Sequence, residues 1–226
     1  ASLVGSEMCI RDSCEPATVT NAKAVLRDGT TRLKKDGEII HHHSGVAGFA
    51  EYAVLPKEAL VRIDKHIPFE HAALFGCGVV TGVGAVINTA SAREEDSIAI
   101  VGLGGVGLSA LLASIAIGSK KTIAIDLSNE KLNLAHELGA DHILNPNDAN
   151  FLERVRDLTS GGANIAIETA GSGRALKTAY DITRRGGTTV AAGMPGPKVD
   201  ITLSHLSIAA EERIIKGSYM GSCIAH

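Results

Sequence analysis

Aromatic residues are scarce in this chain of 226 residues, which contains three tyrosines, four phenylalanines and no tryptophan. Positive charge is not in excess either, because the formal net charge is -3. Proteins that bind nucleic acid need cationic surfaces for the phosphates, and those that bind single strands also need aromatic rings for the bases. The composition therefore argues against nucleic acid as a partner.

Cysteine is also infrequent. The chain has Cys9, Cys14, Cys77 and Cys223, which are too widely spaced to form the disulfide framework of a small secreted domain. The first residues lack the charged region, apolar stretch and cleavage site of a signal peptide. We therefore expect a reducing compartment, the cytoplasm.

One long run, residues 98–119, has no charged residue and about the length that a membrane-spanning helix requires. Four of its five glycines, Gly102, Gly104, Gly105 and Gly107, fall within six positions. Glycine in a helix interior costs roughly 1 kcal/mol, so these glycines interrupt a helix. We expect a strand, a turn and a buried helix here, and no membrane span.

Two patterns divide the sequence. From residue 18 to residue 64 short apolar stretches alternate with turns, and Asp28-Gly29 and Asp36-Gly37 are hairpin signals, which predicts a β-rich lobe. From residue 97 strand-like and helix-like segments alternate, which is typical of a parallel sheet covered by helices on both faces. The lack of an internal repeat favours an α/β Rossmann fold, a doubly wound parallel sheet, over a solenoid.

The predicted Rossmann domain has six strands joined by helices. The strands are predicted at residues 98–101, 122–125, 142–144, 164–168, 188–192 and 213–219. The helices are predicted at residues 106–117, 129–138, 150–159 and 173–183. The glycine pair Gly186-Gly187 is expected to end the last of these helices.

The run IAIVGLGGVG places the spacing G-x-G-x-x-G between the first predicted strand and its helix. Gly102 would permit a tight turn, Gly104 would let a pyrophosphate approach the backbone, and Gly107 would bring the helix close to the sheet. The N–H groups at the start of the helix, next to Gly105, would attract phosphate. Because a glycine-rich bend in a packed core can match this pattern by chance, the flanking strand and helix are needed to support a dinucleotide site.

Asp126 ends the second predicted strand, 19 residues past Gly107. An acidic residue at this point can accept hydrogen bonds from the adenosine ribose, and it would repel the 2'-phosphate of NADP with no arginine to compensate. The pattern therefore predicts NAD as the cofactor. Lys131 is a candidate for the ribose or a phosphate, or else a solvated helix lysine. The alternative for Asp126 is a helix-capping or surface carboxylate.

Three blocks of sequence occur in the order in which a known family has them: GFAEY at residues 48–52, LFGCGVVTGVGA at 74–85 and SIAIVGLGGVGL at 97–108. On these blocks the chain resembles the zinc-containing medium-chain alcohol dehydrogenases, including their glutathione-dependent formaldehyde dehydrogenase branch. The resemblance implies hydride transfer between NAD and a primary or secondary alcohol, or a hydroxymethyl adduct. It also implies a homodimer or homotetramer, and we expect residues 201–206 to be the strand that pairs the subunits.

The resemblance also implies a division into domains. Residues 14–80 are expected to be part of a β-rich GroES-like catalytic domain, and residues 81–226 an NAD-binding Rossmann domain without its C-terminal catalytic segment. Residues 1–13 are expected to be a leader, which is either derived from a sequencing adapter, since residues 2–13 resemble the translation of one, or disordered. Both ends of the chain are expected to be cut.

Two zinc sites are implied by the resemblance. Cys77 would be one of three protein ligands of a catalytic zinc, and Cys14 the last thiolate of a structural zinc site with four. A thiolate suits zinc, and an open fourth position would bind the alcohol. The remaining ligands are expected to lie outside this chain, so we predict that it binds zinc weakly or not at all. A buried core cysteine is the alternative for Cys77.

The resemblance assigns further residues to the cofactor cleft. Thr81 would lie on the nicotinamide side, and Val106, Ala192, Gly193 and Met194 would line the cleft. Ordinary packing is the alternative for Thr81 and Val106. Two other functions stay open: a zinc-free quinone or enone reductase of the same superfamily, which would use NADPH, and an inactive nucleotide-binding fragment.

Overall fold

In a computed structural model of the chain, the described residues are 23–26, 28–42, 48, 51–53 and 60–223. The chain divides into two compact units, one with residues up to Cys77 and from Ser222, the other with Gly78–Gly221. The predicted domain boundary between residues 80 and 81 and the leader at residues 1–13 stay predictions. The leader and Cys14 lie outside the described residues.

The first unit contains a short β-hairpin. Strands β1 (Leu33–Lys35) and β2 (Glu38–Ile40) pair in antiparallel register, with Lys35 opposite Glu38. The two residues between them, Asp36 and Gly37, have positive φ angles of 51° and 87°. Two such residues form the turn that matches the twist of a tight hairpin, which explains the Asp-Gly sequence. The hairpin predicted at this pair is confirmed.

In the second unit, six strands form one parallel sheet. They are β3 (Ser97–Val101), β4 (Lys121–Ile125), β5 (His142–Leu144), β6 (Ala163–Glu168), β7 (Thr183–Ala191) and β8 (Ile214–Gly217). Their order across the sheet is β5-β4-β3-β6-β7-β8. This is the order of a doubly wound dinucleotide-binding sheet, whose direction of winding reverses between β3 and β6. The predicted six-stranded Rossmann sheet is confirmed.

Helices cover both faces of this sheet. They are α1 (Phe69–Thr89), α2 (Gly105–Ala116), α3 (Asn129–Glu137), α4 (Phe151–Thr159), α5 (Gly173–Ile182) and α6 (His205–Ala210). On β3, Ile98 and Ile100 pack in one core cluster with α1, α2 and α3, and Ala99 and Val101 pack in a second cluster with α4 and α5. Alternate residues of a strand face opposite sides of the sheet. Because both sides are covered here, the residues of β3 after Ser97 are all apolar.

Helix α1 has the length and apolar composition of a membrane span, by those two criteria only. Within the second unit, however, Thr81, Gly82, Ala85 and Val86 of α1 are buried. A Cβ atom added at Gly82 would lie 2.2 Å from the carbonyl oxygen of Val106 in α2. In residues 81–86, the apolar composition of α1 is therefore explained by close packing against a neighbouring helix.

The predicted role of the glycine pair Gly186-Gly187 is wrong. Helix α5 ends at Ile182, before this pair, and Gly186 and Gly187 lie within β7. Gly186 has a φ of 68°, and a Cβ atom at Gly187 would lie 2.9 Å from the carbonyl oxygen of Asn164. The pair therefore allows an irregular stretch of β7 to pass close to β6, where the strand register shifts.

The predicted dimer strand at residues 201–206 is not a strand. Residues 201–204 have no regular secondary structure, and His205 begins α6. Helix α6 begins at this point because the side chain of Ser204 caps it, accepting a hydrogen bond from the backbone N–H of Ser207 at 3.3 Å. Pairing of this segment with a second copy of the chain stays a proposal.

Candidate cofactor site

The turn after β3 is built around Gly102, whose φ is 97°. Its backbone N–H donates to the carbonyl oxygen of Ile125 at the end of β4, at 2.8 Å. A Cβ atom at Gly102 would lie 2.8 Å from the backbone nitrogen of Ala170, which follows β6. Both the backbone angle and the crowding require glycine, as the sequence motif predicts.

The next two glycines are exposed to solvent. A Cβ atom added at Gly104 or Gly105 would meet no described atom within 4 Å. Gly104 precedes α2 and has no side chain with which to cap the first N–H groups of that helix. A helix start with this open space above it can receive an anion, and the arrangement fits a pyrophosphate.

Gly107 lies on the opposite, crowded side of the turn. A Cβ atom there would lie 1.8 Å from the carbonyl oxygen of Gly102 and 2.8 Å from the hydroxyl oxygen of Thr169. The Thr169 hydroxyl donates to that same carbonyl oxygen at 2.6 Å. Thr169 thus joins the end of β6 to the glycine turn. Thr169 was not among the predicted site residues, although a polar residue directly after an apolar strand is a usable signal.

The Asp126 carboxylate lies at the carboxyl end of β4, and its side chain is 11% exposed. One oxygen accepts a hydrogen bond from the N–H of Leu103 at 2.7 Å, and the other from the N–H of Ser128 at 2.9 Å. The ammonium group of Lys131 lies 3.7 Å away. An ionised carboxylate has about four acceptor positions, so Asp126 can accept further hydrogen bonds.

Asp126 and Gly102 both line a cavity of about 250 Å³. Lys131 and Arg174 line it too, and the Arg174 guanidinium donates to the amide oxygen of Asn147 at 2.7 Å. The expectation that no arginine lies near Asp126 is therefore wrong. Arg174 lies 48 residues further along the chain, and only the folding of α5 over the sheet brings it to this cavity.

The segment after β7 holds three of the predicted cofactor residues. Ala192 is buried, and the side chain of Met194 is 76% exposed. The backbone N–H groups of Ala192 and Gly193 both donate to the carbonyl oxygen of Glu168, each at 2.9 Å. This segment is therefore attached to the carboxyl end of β6, next to the turn that follows β3.

Glu168 itself was not among the predicted site residues, although it is 2% exposed at the carboxyl end of β6. Burial raises the pKa of its carboxyl group, and hydrogen bonds from the backbone N–H groups of Gly171, Ser172, Ala170 and Gly193 act in the opposite direction. The signal available in the sequence was an acidic residue that ends the apolar run ANIAIE.

Thr81 and Val106 lie where α1 and α2 pack together. Thr81 is buried, and its hydroxyl donates to the sulfur of Met220 at 3.7 Å. Val106 is half-buried in the first turn of α2, against Gly82 of α1. These contacts are compatible with ordinary packing, and the role of both residues in the cofactor cleft stays a prediction.

Cys77 lies in a wide turn of α1, Phe75–Val79, with an exposed, unpaired thiol. The described ranges contain no group of three or more His, Cys, Asp or Glu residues that could hold a metal ion. A tetrahedral zinc site needs three or four such ligands. The described donors therefore do not fit a zinc site.

Comparison with known proteins decides the family. Residues 105–226 match the family described as zinc-binding dehydrogenase. This chain belongs to that family. The S-(hydroxymethyl)glutathione dehydrogenase of Escherichia coli (strain SMS-3-5 / SECEC) is 33% identical over 211 residues, which cover 92% of this chain and 57% of that protein. Its counterpart in Synechocystis is 34% identical over 84% of this chain and 52% of the relative. The chain thus spans little more than half the length of these relatives.

Solved structures of dehydrogenases confirm the fold of this zinc-binding dehydrogenase. An alcohol dehydrogenase zinc-binding domain protein from Burkholderia ambifaria has a TM-score of 0.90 and 30% identity, over 99% of this chain and 63% of that one. Benzyl alcohol dehydrogenase from Acinetobacter calcoaceticus has a TM-score of 0.77 and 32% identity, over 81% of this chain and 51% of its own. The predicted resemblance to the zinc-containing medium-chain alcohol dehydrogenases is confirmed. The predicted fold, a Rossmann sheet preceded by part of a GroES-like domain, is confirmed with it.

Proposed function

We propose that the whole protein transfers hydride between an alcohol and NAD, and that this chain contributes the cofactor-binding half. The observation that carries the proposal is the joint placement of the glycine turn and Asp126. The start of α2 is open above Gly104 and Gly105, Gly102 and Gly107 form the crowded side of the turn, and Asp126 lines the adjoining cavity. This is the arrangement that a dinucleotide requires at a reversal of winding in the sheet.

The pyrophosphate would bind at the start of α2, above Gly104 and Gly105. The backbone N–H groups and the positive end of the helix dipole favour negative charge there. The adenosine would lie in the cavity lined by Asp126, with its ribose hydroxyls donating to the acceptor positions that Leu103 and Ser128 leave open. Lys131, on the rim of the same cavity, would balance part of the charge.

The preference for NAD over NADP would come from Asp126 alone. A 2'-phosphate at the ribose would approach a carboxylate that is almost entirely buried, where repulsion is stronger than in bulk water. Arg174 on the same cavity works against this preference, because a guanidinium group binds phosphate well. The balance between these two residues determines which cofactor binds more tightly.

The nicotinamide would lie on the other side of the reversal, near Thr81, Val106 and the segment Ala192–Met194. Bound there, the nicotinamide supplies the hydride acceptor. The protein orients it: Ala192 and Gly193 are held by the backbone of β6, and Thr81 is held against Met220. Because Met194 is 76% exposed, its side chain is available to cover a bound ligand.

Zinc enters this proposal only for the whole protein. Cys77 would be a zinc ligand there and Cys14 a structural one, but the described donors of this chain include no ligand set. The chain on its own is therefore proposed to be an inactive nucleotide-binding fragment. The alcohol would be a primary or secondary alcohol or a hydroxymethyl adduct, and the protein would work in the cytoplasm as a homodimer or homotetramer.

Calorimetric titration of the 226-residue chain with NADH and NADPH tests the cofactor. We expect NADH to bind about tenfold more tightly or better. Asp126→Asn should reduce this ratio, because it removes the charge and keeps an acceptor. Glu130→Gln is the matched control, since it removes an equal charge from an exposed position on α3 and should leave the ratio unchanged. A preference of the unaltered chain for NADPH would support the zinc-free reductase instead.

A further inference from the structure

We propose that Glu168 is a positioning residue that fixes the segment after β7, in the form that binds the nicotinamide half of the cofactor, against the segment after β6. This inference rests on the proposed function, because it assigns a task within the same cofactor site. The task is indirect: Glu168 would act through the backbone of these two segments.

The location of Glu168 follows from the strand order. Asp126, at the end of β4, lies in the half of the sheet formed by β3, β4 and β5, which is proposed to receive the adenosine. A doubly wound sheet has two mononucleotide-binding halves. The segment after β7 belongs to the second half, so it should contact the nicotinamide mononucleotide part of NAD. The segment after β6 lies between the two halves, because its residues Ala170 and Ser172 also line the cavity proposed for the adenosine.

The carboxylate of Glu168 binds both segments at once. The N–H of Gly171, after β6, donates to it at 2.6 Å, and the N–H groups of Ala170 and Ser172 also contribute. The other carboxylate oxygen, Oε2, lies against the segment after β7, because a Cβ atom added at Gly193 would lie 2.8 Å from it. The N–H of Gly193, which donates to the backbone carbonyl oxygen of Glu168, also favours the charged form of the carboxylate. Charged acceptors form the stronger class of hydrogen bonds, so this carboxylate is a strong link between the two segments.

The two segments touch through their backbones, with no room for a side chain. A Cβ atom at Gly193 would lie 2.2 Å from the nitrogen of Gly171, and one at Gly171, whose φ is 67°, would lie 2.7 Å from the carbonyl oxygen of Met194. The carbonyl oxygen of Glu168 also accepts from the N–H groups of Ala192 and Gly193. Glu168 therefore contacts the segment after β7 with both its backbone and its side chain.

The variant Glu168→Gln tests whether this link matters for binding. The glutamine amide has the same size, and its oxygen can still accept from Gly171, but its NH2 group would face an N–H donor instead of accepting from it. Glu168 also borders a cavity of about 120 Å³, so the side chain has space in which to adjust. The folded state should therefore survive with the geometry of the two segments altered.

The experiment compares three ligands by calorimetry on the full 226-residue chain. AMP and ADP report on the adenosine half, and NADH adds the nicotinamide and its ribose. For Glu168→Gln we expect AMP and ADP to bind as they do to the unaltered chain, because the amide oxygen still accepts from Gly171, and NADH to bind about tenfold more weakly, the effect of one lost hydrogen bond to a charged group. Glu153→Gln, at an exposed position on α4, is the matched control and should change none of the three.

The outcomes separate this inference from the proposed function. If the unaltered chain binds neither AMP nor NADH, the proposed function fails. If it binds both, and Glu168→Gln weakens AMP and NADH equally or leaves NADH unchanged, the positioning role is refuted. Should Glu168→Gln not fold, Glu168→Asp replaces it, because its shorter side chain keeps the charge but cannot reach both segments, and the same division between AMP and NADH is expected.

Discussion

Alanine substitutions at Gly104 and Gly107, which are three positions apart, should affect different properties of the protein. A Cβ atom at Gly107 would lie 1.8 Å from the carbonyl oxygen of Gly102, which is a backbone atom and cannot rotate away. A Cβ atom at Gly104 would meet no described atom within 4 Å, and the backbone angles there, φ -82° and ψ -170°, suit alanine. The same added methyl group is therefore tested at a crowded position, Gly107, and at an open one, Gly104.

For Gly107→Ala we expect the free energy of unfolding to fall by about 3 kcal/mol or more, the upper part of the range for overpacking, because both α2 and the glycine turn must shift. For Gly104→Ala we expect a change within about 0.5 kcal/mol, as for a substitution without new contacts. The NADH affinity of Gly104→Ala should nevertheless fall by about tenfold or more, because the methyl group occupies the space assigned to the pyrophosphate.

Urea unfolding followed by circular dichroism measures the first quantity, and calorimetric titration with NADH the second. Gly217→Ala, at the end of β8, is a control for the loss of a glycine, because its φ is not positive and a Cβ atom there would meet no described atom within 4 Å. The reasoning would be refuted if Gly107→Ala unfolded at the same urea concentration as the unaltered chain. It would equally be refuted if Gly104→Ala kept full affinity for NADH.

Three further predictions concern Thr169, Glu168 and zinc. Thr169→Val removes the hydroxyl that donates to Gly102 at 2.6 Å, so urea unfolding should show a loss of about 1 kcal/mol, whereas no loss would mean that the glycine turn is held without it. The pKa of Glu168 is raised in the folded state, so the native protein binds more protons than the unfolded one once the pH rises past the ordinary value of 4.5. The free energy of unfolding of the unaltered chain, relative to that of Glu168→Gln, should therefore fall as the pH rises from 4.5 through the raised pKa. A rise of this free energy over the same pH interval would contradict the direction of the pKa shift. Zinc added to the chain should leave its Tm unchanged, because the described residues provide no ligand set; a concentration-dependent increase in Tm would show that a site exists.

The sequence was sufficient for those features that depend on local pattern. In the run SIAIV every residue after Ser97 is apolar because β3 is covered on both faces, and the glycine spacing after it identified the turn at Gly102. The hairpin at Asp36-Gly37 was predictable for the same reason, since both residues tolerate the positive φ that a two-residue turn requires. In each of these cases the residues that cause the structural feature lie within one short segment.

The predictions that were wrong depend on contacts between distant segments. Gly186-Gly187 has the composition of a helix end, but the pair is needed because β7 passes close to Asn164. Arg174 reaches the cavity of Asp126 only through the folding of α5. Glu168 could have been noted as a polar strand end, but its four backbone donors come from two segments that only the sheet brings together. Pattern within a segment does not contain such information.

Contacts within the protein fix the shape of the glycine turn. Ile125 accepts a hydrogen bond from its amide, Thr169 donates to its carbonyl oxygen, and Gly107 packs against it. Ordering a flexible loop subtracts from binding free energy, whereas the entropy of this turn is lost on folding. A phosphate group should therefore associate at a rate that does not depend on loop motion.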